Sequence, residues 1–196
     1  MPRTEKQNED IRSATRTQIL NSAMQLFAEK GYAHTTTRNI ATAAGLSVGL
    51  MYHYFDSKES LLRAVFDFVM ARIDERITAV LQTSPPGTVI TNLLHAIFDL
   101  LASEQEFSAL FYMLRTQPAI MSVLGDDFRE RTALLRSCFV AELAQAGWPQ
   151  PELEGYYLYS VLEGAIQQYL LDPTSYPLAE IVEKMIAQFG GKHESV

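Results

Sequence analysis

The sequence predicts an all-α protein, for three reasons. Apolar residues recur at helical spacing along most of the 196 residues. Glycines and prolines fall mainly at the ends of these periodic segments. No series of short β-branched runs separated by turns interrupts them. With 47% apolar residues the chain can bury a real core. The predicted architecture is an N-terminal bundle of three helices, a long fourth helix and a C-terminal helical domain. Boundaries are expected at 1–12 for a mobile tail, 13–60 for the N-terminal domain and 61–196 for the C-terminal one.

Residues 1–12 alternate charges without apolar periodicity, which reads as a tail. From Ser13 onward, Ile19, Ala23, Leu26 and Phe27 share one face of a helix that Lys30-Gly31 terminates with a cationic last turn and a left-handed cap. A second helix starts near Thr37 and turns Ile40 and Ala44 toward the core. Ala41 falls where another helix crosses, a place for a small side chain. Gly45 can take the positive φ of a tight turn at little cost, Leu46 plugs the corner, and Ser47 caps a third helix by accepting from a free N–H. In that helix Met51, Tyr54 and Phe55 fall inward, leaving Val48, Gly49, Tyr52 and His53 outside. This is the spacing of a helix-turn-helix, which lays a short helix into a major groove with its first residues at base edges.

Asp56 or Ser57 caps the fourth helix, whose Leu61, Leu62, Val65, Phe66, Val69, Ile73, Ile77 and Leu81 run to the break at Pro85-Pro86-Gly87. Further helices are expected at 88–103, 105–116, 124–146, 152–171 and 177–189, with breaks at Pro118, Gly125, 147–151 and 173–177. The segment from Tyr156 to Leu171 is apolar on most of its circumference, with Gly164-Ala165 at its centre, so it must be covered on more than one side.

A net charge of −7 would repel phosphates if it were evenly spread. Residues 1–60, however, carry seven Lys or Arg against six Asp or Glu, and residues 61–196 carry nine against seventeen. The acid lies in the C-terminal part, which leaves the N-terminal domain free to face nucleic acid.

Other chemistries lack their context. Gly45-Leu46-Ser47-Val48-Gly49 matches the G-x-S-x-G of a hydrolase nucleophile elbow, but a helical segment rather than a strand precedes the serine, and no enzyme is expected. His34, His53, His95 and His193 have no metal-ligand spacing, so neither a metal nor a cofactor is expected. Cys138, the one cysteine, cannot form an intrachain disulfide and reads as a structural thiol. The charged start lacks the apolar stretch of a signal peptide, and His95, Asp99 and Glu163 interrupt the apolar runs. The expectation is a cytoplasmic protein with no membrane partner.

Phe27, Gly31, Tyr32, the threonine run into Arg38, Ile40-Ala41, Ala44-Gly45-Leu46-Ser47, Gly49, Tyr52, Tyr54-Phe55 and Ser57-Lys58-Glu59 together resemble the signature of tetracycline-repressor (TetR) family regulators. The resemblance covers about residues 13–66, a third of the chain. It implies double-stranded operator DNA as a partner, with Thr37 and Arg38 near the phosphates and groove edge. Ser47 would open a reading helix that uses Val48, Gly49 and His53, while Tyr52 and Tyr54 donate hydroxyls to the backbone. Lys58 would hold a phosphate at a helix N-terminus. The resemblance also implies a homodimer through the last two long helices, with Gly164, Ala165, Gln168, Ile181, Met185 and Phe189 at the interface.

The function implied is that of a repressor released from a palindromic operator by a small, largely apolar effector. An effector pocket would draw on His95, Phe98, Phe111, Tyr112, Met113, Phe128, Phe139 and Gln167, aromatic and apolar groups with a few polar ones. The alternative is a helix-turn-helix protein whose C-terminal domain only dimerises or binds a protein partner. A ligand-sized pocket among residues 93–168 favours the first, a solidly packed core the second.

Overall fold

The computed structural model describes residues 4–191 and is all-α over them. Its helices are α1 (Glu5–Lys30), α2 (Thr37–Ala43), α3 (Val48–Tyr52), α4 (Lys58–Thr83), α5 (Val89–Ser103), α6 (Gln105–Arg115), α7 (Pro118–Gln145), α8 (Pro151–Leu171) and α9 (Leu178–Phe189). They form two compact units. The first ends at Ala71 and takes in Leu110–Gly125; the second comprises Arg72–Ala109 and the chain from Asp126 onward.

Three elements depart from the sequence reading. α1 begins at Glu5 rather than near Ser13, because Thr4-Glu5-Lys6-Gln7 forms a capping box. Thr4 Oγ1 accepts from the Gln7 N–H at 3.3 Å, and Gln7 Oε1 accepts from the Thr4 N–H at 3.0 Å. Most of the expected tail is therefore helix; its residues 1–3 lie outside the described residues. The first unit extends past the expected boundary at residue 60, since Leu61, Leu62, Val65, Phe66, Val69 and Met70 of α4 are all buried. Finally, α7 opens at Pro118, not near 124. Proline suits a first helical position, where its missing N–H costs nothing, and Gly125 is a buried position inside the helix rather than a break.

In the first unit the core is built from Ile19, Leu20, Ala23 and Phe27 of α1, Ile40 and Ala41 of α2, Met51 of α3 and the buried face of α4. Leu114, Ile120 and Leu124 of the 110–125 segment are buried as well. Within this segment, between α6 and α7, stands Gln117. Its Nε2 donates to the Phe27 carbonyl at 2.8 Å and its Oε1 accepts from the Tyr32 N–H at 2.7 Å. One carboxamide thus satisfies both sides of the chain where it leaves α1.

The second unit buries Leu93, Leu94 and Phe98 of α5, Phe139 and Leu143 of α7, Leu158, Leu162 and Ala165 of α8, and Val182, Met185 and Phe189 of α9. Gly155 lets α8 lie against α7: a Cβ there would sit 2.5 Å from Val140 Cγ2. In the turn before α8, Trp148 stacks on Phe189, with ring centroids 5.6 Å apart. Among the described residues, no helix is long and apolar enough to cross a membrane.

Candidate nucleic-acid interface

The reading head is assembled by backbone caps. Thr36 opens α2 with a second capping box, its Oγ1 accepting from the Asn39 N–H at 3.1 Å while Asn39 Oδ1 accepts from the Thr36 N–H at 3.1 Å. After α2, Gly45 adopts φ 65°, and the Leu46 N–H donates back to the Ala41 carbonyl at 2.9 Å, closing the turn. Gln18 of α1 donates to the Ala44 carbonyl at 2.9 Å and ties that turn to the bundle. Ser47 Oγ then accepts from the Leu50 N–H at 3.1 Å and starts α3.

Met51 and Phe55 anchor α3 in the core. Its other side carries Val48, Gly49, Tyr52 and His53, positions one helical turn apart that share a face. Gly49 and His53 are exposed, Val48 is half-buried and Tyr52 is 48% exposed. The Tyr52 hydroxyl lies 3.1 Å from Thr37 Oγ1, so the end of α3 is joined to the beginning of α2. Arg38, the next residue, is exposed, and Tyr54 is half-buried. Apart from Lys58 and the half-buried Tyr54, the DNA-contact set read from the sequence therefore lies on the outer side of one helix-turn-helix, with Ser47 engaged as its cap.

Lys58 requires correction. Instead of projecting into solvent as a phosphate ligand, its ammonium donates to the carbonyls of Tyr32 at 2.9 Å and Thr35 at 3.1 Å and stands 4.4 Å above the Tyr32 ring. The turn between α1 and α2 exposes carbonyls with no helical partner, and an ammonium within reach satisfies them. Tyr32 also meets Phe27 edge-on at 5.1 Å, and burial, with Glu59 adding, raises the phenol's pKa above its ordinary value. Thr35, missed in the sequence, is buried in the same turn, its hydroxyl shared between the carbonyls of Leu26 at 3.1 Å and Gly31 at 2.9 Å.

Sequence reading also missed Asn8, Ile11 and Arg12. With His53 and Tyr54 they line an open hollow of about 290 Å³ beside the end of α3. The capping box at Thr4 was the signal that places these residues on a helix.

The residues expected to line an effector pocket are divided between the units. Phe111, Tyr112 and Met113 belong to the first; His95, Phe98, Phe128, Phe139 and Gln167 belong to the second. Phe111 lies 6.4 Å from Phe66, and Tyr112 lies beneath the Arg115 guanidinium at 5.4 Å. Phe98, Phe128 and Phe139 are buried. The expected polar groups are not inside: His95 and Gln167 are exposed because they fall off the buried faces of α5 and α8, and Met113 is exposed too.

The dimer residues divide as well. Ala165, Met185 and Phe189 are at most 3% exposed in the single chain, and Ile181 packs on the same core. They are spent inside the unit because α8 buries Gly155, Leu158, Leu162, Ala165 and Tyr169, and α9 buries Val182, Met185 and Phe189, at helical spacing. Gly164 and Gln168 are exposed, on a side that also carries Leu153, Tyr156, Tyr157 and, at 78% exposure, Leu171.

Gly45-Leu46-Ser47-Val48-Gly49 is the turn of this motif and not a nucleophile elbow, since a helix rather than a strand precedes Ser47. A three-helix head with a capped turn and an exposed short third helix defines the class of helix-turn-helix proteins. Residues 19–65 match the model for bacterial regulatory proteins of the tetR family. The chain is 42% identical over 76 residues to the HTH-type transcriptional repressor KstR2 of Rhodococcus jostii, covering 37% of each chain. It is 38% identical over 106 residues to the HTH-type transcriptional repressor Rv1474c of Mycobacterium tuberculosis, covering 53% of this chain and 54% of the relative. These matches thus span about half or less of the relatives' lengths. The fold as a whole is similar to that of FadR from Bacillus subtilis, solved in complex with stearoyl-CoA, with a TM-score of 0.71 at 17% identity over 91% of this chain and 99% of the other.

Proposed function

We propose that this chain is a sequence-specific DNA-binding transcriptional regulator, a repressor that leaves a palindromic operator when a small, largely apolar effector binds. The observation that carries the DNA-binding reading is the side of α3 formed by Val48, Gly49, Tyr52 and His53, held outward by the burial of Met51 and Phe55. A helix presented in this way fits a major groove, and Thr37, Arg38 and Tyr52 beside it suit phosphate oxygens. Domain roles follow: residues 13–60 read DNA, and residues 61–196 dimerise and bind the effector.

Two copies are needed because a palindrome presents two half-sites about one helical turn apart, roughly 34–36 Å. The face of α8 with Leu153, Tyr156, Gly164, Gln168 and Leu171 is the proposed two-fold contact, its apolar side chains left exposed in a single chain. The relatives' names support the repressor reading, and the acyl-CoA complex of a protein of similar fold supports an apolar effector. Phe98, Phe128 and Phe139 are the residues of this chain that would border such a ligand.

The test is selection of duplexes from a randomised library by the purified protein, followed by sequencing. A two-fold symmetric consensus is the expected result; a pool with no sequence bias would overturn the proposal.

A further inference from the structure

The first two turns of α1 place Asn8, Ile11 and Arg12 on one side of the helix, since residues three and four apart stack on the same face. Opposite them stand His53 and Tyr54, which leave the C-terminal end of α3, and the five residues surround the open hollow of about 290 Å³. Its chemistry is that of a seat for a nucleic-acid backbone. The Arg12 guanidinium and the Asn8 amide supply donors suited to phosphate oxygens, and the Tyr54 phenol adds another. Ile11, 45% exposed, offers an apolar surface of the kind a deoxyribose ring covers. Arg12 is exposed and forms no ion pair among the described residues, whereas Arg16, one turn further, lies over the Phe55 ring at 5.5 Å. By the helical period, Asp10 projects from the far side of α1.

We infer that this hollow seats one backbone phosphate flanking the base pairs read by α3, with Arg12 and Asn8 donating to its oxygens and Ile11 against the adjoining sugar. The inference rests on the DNA-binding reading above. α3 has five residues, about 7.5 Å of helix, little more than two base-pair rises of roughly 3.4 Å. So short a reader leaves most of the affinity to contacts beside it, and in protein–DNA complexes half or more of the hydrogen bonds go to phosphate and sugar. The hollow lies at the end of that reader, on a helix whose first turn is closed by the Thr4 capping box.

The experiment takes a duplex selected by the wild-type protein and measures its affinity across a series of KCl concentrations for the wild type, Arg12→Ala and Arg12→Lys. Arg12→Ala should weaken binding about fivefold to tenfold near physiological salt. It should also flatten the slope of log affinity against log salt by about 0.9 per subunit. Arg12→Lys should keep the slope. Ethylating a phosphate just outside the α3-read base pairs should impair the wild type and leave Arg12→Ala unaffected. Wild-type affinity and slope in Arg12→Ala would overturn the inference while leaving the DNA-binding reading intact. A wild-type protein that selects no duplex would instead remove that reading, and this inference with it.

Discussion

At the scale of single residues, what a side chain does in the reading head depends on whether its polar atoms are already engaged. Lys58 spends its ammonium on the Tyr32 and Thr35 carbonyls, so Lys58→Ala should cost about 1–2 kcal/mol of stability, two charge-assisted bonds and a ring contact discounted for partial exposure. It should weaken DNA binding without changing the salt slope, which chemical denaturation and salt titration together would show. A slope reduced by a full phosphate contact would restore Lys58 to the interface. His53 has the opposite profile: His53→Ala should leave stability unchanged and alter base preference in a selection experiment. The motif spacing made the outward positions of Val48, Gly49, Tyr52 and His53 legible in the sequence, because burial of Met51 and Phe55 fixes them. The fate of Lys58 was not legible, since a lysine after a helix cap looks the same in sequence whether it faces phosphate or a neighbouring turn.

At the scale of elements, helix type was readable nearly throughout, and the errors lie where a terminus obeyed a cap rather than a period. Thr4-x-x-Gln7 extends α1 through charges that periodicity reads as a tail, and Pro118 opens a helix it was expected to precede. Gly45 marks the opposite case, a glycine whose role is fixed by its conformation. At φ 65°, Gly45→Ala forces a Cβ into the left-handed region and should cost about 1–2 kcal/mol. Nothing lies within 4 Å of that Cβ, so the loss would come from backbone strain alone. An unchanged urea midpoint would contradict it. Gly155→Val tests packing instead: its Cβ would press on Val140 at 2.5 Å, and roughly 1–3 kcal/mol of overpacking should appear in the same measurement.

At the scale of the whole molecule, the sequence showed that α8 must be covered on several sides but not which side serves which partner. Its apolar circumference is divided in the fold between Leu158, Leu162 and Ala165, which face the unit's own core, and Leu153, Tyr156 and Leu171, which face out. Gly164→Arg should therefore leave the single chain folded, as open space surrounds that position, yet sediment as a monomer. A dimer that survives the substitution would move the contact elsewhere. A true effector must prefer the DNA-free state. A preference of about 1–3 kcal/mol would lower operator affinity roughly 5–150-fold, and effector titrations with and without operator must differ by the same factor. The unit that carries the reading head is itself discontinuous along the chain, since it is finished by Leu114, Gln117, Ile120 and Leu124. During synthesis the head therefore waits for roughly fifty more residues after Ala71, several seconds at about 5–20 residues per second. A nascent chain halted short of Gln117 carries the whole helix-turn-helix without the clasp on Phe27 and Tyr32, and the first unit is complete only once about half of the chain after residue 60 has been made.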